Sequence, residues 1–288
     1  MNESACPPLL DVQSLADLLD GQPDGLRLVD ARFSLADSRS GRALYLAGHL
    51  PGAVFVDLNT DLSQLDRRGH GRHPLPSSAA FADTLGRLGI GTDTRVVVYD
   101  DGDGSMAAAR FWWMLRAMGH ARVSVLDGGA SAWQQSGRPL TGEVTDVPIL
   151  PPYPGQFDGS REATADEVAA RLGQAPGWLL DARAPERFSG EIEPLDPVAG
   201  HVPGAINRPF ALSMADGRMR PAAELRTELQ SLIGSHAPSQ VVAMCGSGVT
   251  ACHLLLAMEH AGLEDARLYA GSWSGWITDP SRPVAVGG

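Results

Sequence analysis

The sequence predicts an α/β protein of two three-layer domains, each a doubly wound, mainly parallel sheet with helices on both faces. Three observations predict it. Short continuous runs rich in Val and Leu recur along the chain. Helical stretches alternate with them, which is the order that builds parallel sheets. The second half then repeats the first.

The runs LRLVDA (26–31), RVVVYD (95–100), ARVSVLD (121–127), WLLDA (178–182), QVVAMC (240–245) and ARLYA (266–270) read as strands. They are apolar without alternation, which suits strands covered on both faces. Thr164 and Glu167 form a capping-box pattern at the head of the helix TADEVAARLG (164–173). SMAAARFWWMLRAMGH (105–120) and TACHLLLAMEHAG (250–262) read as buried helices ending near a glycine.

The repeat is domain-sized. LRLVDAR, AGHLPGA (47–53), RVVVYDDG and LDGGASAW (126–133) recur in the same order as WLLDAR, AGHVPGA (199–205), QVVAMCGSG and YAGSWSGW (269–276). Pro148, Pro151, Pro152 and Pro154 block regular structure between the copies. The expected division is an N-terminal domain over 1–142, a linker over 143–160 and a C-terminal domain over 161–288.

Composition narrows the function. Hydrophobic residues make up 43% and charged residues 20% of 288, as in a soluble globular protein. The net charge of -11 argues against nucleic acid as a partner. No apolar run is long enough for a bilayer, so no membrane association is expected. The first residues, MNESACPPLLD, lack a basic segment followed by an apolar stretch, so no secretory signal is expected. Cys6, Cys245 and Cys252 are odd in number, which speaks against a disulfide framework and for a cytoplasmic location. No Cys-x-x-Cys pair or His cluster with ligand spacing appears, so no metal is expected.

The most informative stretch is VVAMCGSGVTACHLLL (241–256), a strand, a tight loop and a helix. Cys245 falls at the strand's C-terminal end, where open α/β sheets place ligands. Gly246 and Gly248 let the backbone turn sharply and approach a ligand closely. Loop N–H groups and a helix N-terminus favour an anion between them, which a thiolate and a terminal persulfide both are. The plain alternative is a buried, inert cysteine at a strand end.

The string CGSGVT, the paired DAR and AGHxPGA segments and GSWSGW resemble the rhodanese superfamily, and within it the tandem-domain 3-mercaptopyruvate and thiosulfate sulfurtransferases. The resemblance implies two rhodanese-like domains, the first non-catalytic with Asp100 in place of the cysteine. It implies a double displacement in which Cys245 takes sulfur from a small anionic donor as a persulfide and yields it to cyanide or a thiol. The thiol is a small molecule or a thioredoxin-like protein, and no cofactor is required. Arg187, in DARAPERFSG, is implied to contact the donor beside the loop residues Gly246, Gly248, Val249 and Thr250. The CGSGVT form favours 3-mercaptopyruvate over thiosulfate, with Ser247 active and His73, in GRHPLP, relaying a proton to it. Two departures leave the donor open. Asn59 stands where the relay's acidic partner is expected, and Leu195 stands where a second arginine is expected in an E-P-R context.

Other readings are kept at this point. His73 as a plain surface loop residue is one, and Ser247 as a cap on the loop's own amides is another. His49 and His201, Arg32 and Arg183 recur in both copies and are expected to be scaffold. Trp273 and Trp276 are expected in the core or the pocket wall, and Trp112 and Trp113 in the core or at an interdomain face. A phosphatase of similar loop would end the loop in Arg, where this chain has Ala251. A non-catalytic binding module would have no need of Cys245.

Overall fold

The computed structural model describes residues 6–21, 25–102 and 107–287. The chain forms two compact units. The first runs through Gln64 and takes in Pro76–Asp158 and Asp216–Met219; the second takes in Leu65–Leu75, Gly159–Ala215 and the chain from Arg220 on.

The first unit contains β1 (Leu9–Leu10), α1 (Val12–Asp20), β2 (Leu26–Asp30), α2 (Ser40–Ala47), β3 (Ala53–Phe55), α3 (Ser78–Arg87), β4 (Arg95–Tyr99), α4 (Ala107–Ala117), β5 (Val123–Leu126) and α5 (Gly129–Gln135). Its five strands pair in parallel in the order β1-β5-β4-β2-β3. Val96, Val97, Val98 and Tyr99 of the central β4 are all buried, as its unalternating sequence requires. Ser105 and Met106, read from sequence as the head of α4, lie outside the described residues.

The second unit contains α6 (Ala165–Ala170), β6 (Leu179–Asp181), α7 (Pro185–Ser189), β7 (Ile206–Asn207) and β8 (Met214–Ala215). After β9 (Arg218–Met219), which belongs to the first unit, come α8 (Ala222–Ile233), β10 (Val242–Met244), α9 (Thr250–His260), β11 (Arg267–Leu268) and α10 (Ser272–Trp276). Its main sheet is parallel throughout, in the order β11-β10-β6-β7. The chain reverses winding direction between β6 and β10, the switch point at which such sheets open a crevice.

The capping box at Thr164 and Glu167 forms both of its hydrogen bonds and opens α6. Five short strands, β1, β3, β7, β8 and β9, escape the composition signal because each is only two or three residues long. β3 begins on the last residue of the first AGHxPGA motif and β7 directly after the second, so for these two the repeat itself carried the clue. The counterpart of β1 in the second unit is reduced to an isolated bridge between Glu162 and Leu268.

The proline-rich stretch read as a linker packs onto the first unit. Leu150 N–H donates to Gly86 O, Tyr153 N–H to Ala82 O and Asp158 N–H to Ala117 O. Conversely, residues 65–75 leave the first half of the chain and pack with the second unit. Among the described residues no helix is long and apolar enough to cross a membrane.

Candidate active site

The cysteine loop is built on a frame that the sequence duplicates. In the first unit Asp30 and Arg32 form a buried fork, with Nε and Nη2 of the arginine on the carboxylate at 2.7–3.1 Å. Asp181 and Arg183 repeat it at the same distances. His49 stacks on Tyr45 at 3.9 Å, and His201 stacks on Phe188 at 3.8 Å. Each imidazole Nδ1 is bonded to the carbonyl of the residue it stacks on. Trp133 and Trp276 donate to Pro139 O and Pro283 O, both at 2.9 Å. These recurring residues are scaffold. Trp112, Trp113, Trp273 and Trp276 are all buried.

Cys245 follows the last residue of β10 and is only 2% exposed. Its N–H donates to Ser272 Oγ at 3.0 Å, and its carbonyl accepts from Trp273 N–H at 2.9 Å. Gly246 O accepts from Ser274 N–H at 2.9 Å. The loop is therefore tied to the start of α10, which explains why GSWSGW travels with CGSGVT. Gly248 has φ +77°, and a Cβ there would stand 2.3 Å from Ala270 O, so only glycine fits. Gly248 N–H donates to Cys245 Sγ at 3.2 Å. Val249 is buried and α9 begins at Thr250, which brings the positive end of the helix to the loop. A sulfur anion at Cys245 is thus met by a backbone N–H and a helix N-terminus. The Cys252 thiol donates to Gly248 O at 3.4 Å, on the loop's backbone.

The structure brings His73 and Ser247 together. Both are buried, and His73 Nδ1 lies 2.9 Å from Ser247 Oγ. The 65–75 segment is pinned here by Arg72 N–H, which donates to Ser274 Oγ at 3.0 Å. A buried His73 in contact with the loop replaces the plain surface reading. Asn59 lies in the first unit, with its N–H on Asp57 Oδ1 at 2.8 Å.

Arg187 reaches the loop but with most of its fork occupied. Nε and Nη2 hold both oxygens of Glu193 at 2.7–3.3 Å, and Nη2 also meets Asp196 Oδ2 at 3.2 Å. Burial pushes the Glu193 carboxyl up, but the Arg187 hydrogen bonds and the Leu195 N–H outweigh it and hold it below the usual 4.5. Arg183 Nη1 lies 3.5 Å from Glu193 Oε2. Among the described residues Arg187 Nη1 makes no hydrogen bond, so one face of the guanidinium is left toward the loop.

Four residues that contact the loop or join its ionic cluster escaped sequence reasoning. Ser272 holds the cysteine's own N–H from a left-handed backbone position, φ +51°, where the first repeat has Gly129. A serine replacing a glycine in the repeat was the available signal. Arg72, Glu193 and Asp196 form one ionic cluster, with Arg72 Nη1 paired to Asp196 Oδ1. Glu193 and Asp196 flank the missing-arginine position Leu195, which is 43% exposed. Among the described residues no group of three His, Cys, Asp or Glu side chains is placed to hold a metal.

The Rhodanese-like domain family matches residues 11–136 and 164–279. A Pseudomonas aeruginosa protein described as a probable 3-mercaptopyruvate sulfurtransferase is 47% identical over 286 residues, 97% of this chain and 98% of the relative. A Mycobacterium tuberculosis protein described as putative thiosulfate sulfurtransferase SseB is 42% identical, over 97% of each. Among solved structures, the 3-mercaptopyruvate sulfurtransferase of Leishmania major superposes with a TM-score of 0.82 at 33% identity, covering 96% of this chain and 75% of that one.

Proposed function

This chain belongs to the rhodanese family and is a sulfurtransferase, and from that premise we propose that it carries sulfur as a persulfide on Cys245, taken from 3-mercaptopyruvate and passed to a thiol. The observation that carries the proposal is Cys245 Sγ at the head of the loop, accepting Gly248 N–H at 3.2 Å. In the first step the Cys245 thiolate attacks the donor's sulfur. With 3-mercaptopyruvate the C–S bond breaks, the electron pair leaves on carbon as the pyruvate enolate, and a proton must reach it. The terminal persulfide, an anion once deprotonated, occupies the same N–H cradle. An acceptor thiolate or cyanide then takes the outer sulfur and returns Cys245.

The His73–Ser247 contact favours 3-mercaptopyruvate. A hydroxyl held 2.9 Å from an imidazole is suited to pass a proton. Thiosulfate breaks an S–S bond and releases sulfite, a step that needs no proton on carbon. Three free cysteines fit a reducing, cytoplasmic compartment. The acceptor class is a small thiol or a thioredoxin-like protein.

The test is kcat/KM for 3-mercaptopyruvate and thiosulfate with one acceptor, in wild type and His73→Gln. The expected result is a preference for 3-mercaptopyruvate that His73→Gln narrows. A wild-type preference for thiosulfate would overturn the donor assignment, and turnover by Cys245→Ser would overturn the persulfide mechanism.

A further inference from the structure

We infer that Arg72 completes the donor site, supplying with Arg187 a paired guanidinium fork for the donor's oxyanion group, whether carboxylate or thiosulfonate. The inference rests on the proposed sulfur donor but concerns Arg72, a residue of the GRHPLP segment to which the sequence assigned no role. Arg187 spends Nε and Nη2 on Glu193 and Asp196 and keeps Nη1. Arg72 spends Nη1 on Asp196 and keeps Nη2. Among the described residues these two atoms have no hydrogen bond, and they converge. A methyl group built on Gly246 would stand 2.9 Å from Arg72 Nη2 and 3.2 Å from Arg187 Nη1. The residue next to the sulfur carrier is thus overhung by two N–H donors from two different segments.

Asp196 makes this arrangement possible. It is 3% exposed at its side chain and gives one oxygen to each arginine, which lets two cations sit close together. The cluster is balanced: Arg72, Arg183 and Arg187 against Asp181, Glu193 and Asp196. Its pull on an anion therefore comes from directed N–H groups rather than surplus charge. One guanidinium with both free donors would grip an oxyanion bidentately; here two half-engaged ones divide that work. Arg72 is held in register because its own N–H is bonded to Ser274 Oγ at 3.0 Å, and Ser274 N–H holds Gly246 O. Leu195 is exposed and meets the cluster through its N–H on Glu193, and the guanidinium beside Arg187 over Gly246 is that of Arg72.

The test compares Arg72→Gln and Arg72→Lys with wild type, after matched thermal unfolding. Cys245 is alkylated with iodoacetate, an anion, and with iodoacetamide, its neutral analogue, and the Cys245 peptide is quantified by mass. We expect Arg72→Gln to slow iodoacetate about tenfold relative to iodoacetamide, the loss of one charge-assisted hydrogen bond. Arg72→Lys should recover part of that ratio, and kcat/KM for both donors should fall in parallel. An unchanged alkylation ratio in folded Arg72→Gln overturns the inference. So does equal slowing of both reagents, which would mark Arg72 as a support for the loop. Because alkylation needs no sulfur transfer, it judges Arg72 even if Cys245 proves not to carry sulfur.

Discussion

Arg187 serves the loop and the fold at once, so its removal should be visible in two measurements. Arg187→Ala takes away one of two donors facing Gly246 and removes the closest cation from Glu193, whose side chain is 3% exposed and which keeps Arg183 Nη1 at 3.5 Å and the Leu195 and Asp196 N–H groups. We expect kcat/KM for either anionic donor to fall roughly ten- to a hundredfold. Stability at neutral pH should fall by about 2 kcal/mol, the cost of losing a buried charged partner. The pH dependence has a definite sign. Glu193 is held below its usual 4.5, so it favours the folded state above that value. Its contribution disappears as the pH falls through the lowered folded-state value. The gap in unfolding temperature between wild type and Arg187→Ala should therefore close on acidification. A gap that stays constant into the acid range would show that Glu193 is not what Arg187 stabilises.

At the scale of elements, the loop is shaped by two glycines with different duties. Gly248 sits at φ +77° with no room for a Cβ against Ala270 O, which is backbone and cannot yield. Gly246 would present its Cβ only to the ends of the Arg72 and Arg187 side chains. Gly248→Ala should cost about 1–3 kcal/mol through backbone strain and abolish activity with it. Gly246→Ala should unfold near the wild-type temperature yet lose donor use, because its methyl fills the space before the guanidinium groups. Thermal unfolding and turnover of the two variants, measured side by side, check the distinction. Equal destabilisation would mean that the loop tolerates neither.

At the scale of the molecule, one family fold appears twice but the loop-head cysteine once. The two frames match in their buried Asp–Arg forks, stacked histidines and Trp-to-Pro hydrogen bonds. The first has Asp100 where the second has Cys245. Incubation with donor should therefore add one sulfur atom per chain by intact mass, and none to Cys245→Ser. A second sulfur, or any on Cys245→Ser, would place a carrier elsewhere.

The sequence by itself determined the class of fold, the duplication, the position of Cys245 and the scaffold role of the repeated residues. Those properties are local or periodic: buried strands are apolar without alternation, tight turns demand glycine, and a copied domain repeats its punctuation. It also marked Ser247 and His73, but only tertiary structure brought them to 2.9 Å, across 174 positions of chain. Strands β3 and β7 are too short to show a period. The paths of 65–75 and 143–158 were decided by packing and backbone hydrogen bonds, which composition does not record. The same holds for Arg187. Its charge is legible in sequence, but how many of its donors remain open depends on Glu193 and Asp196, and so on where folding sets three side chains relative to one another.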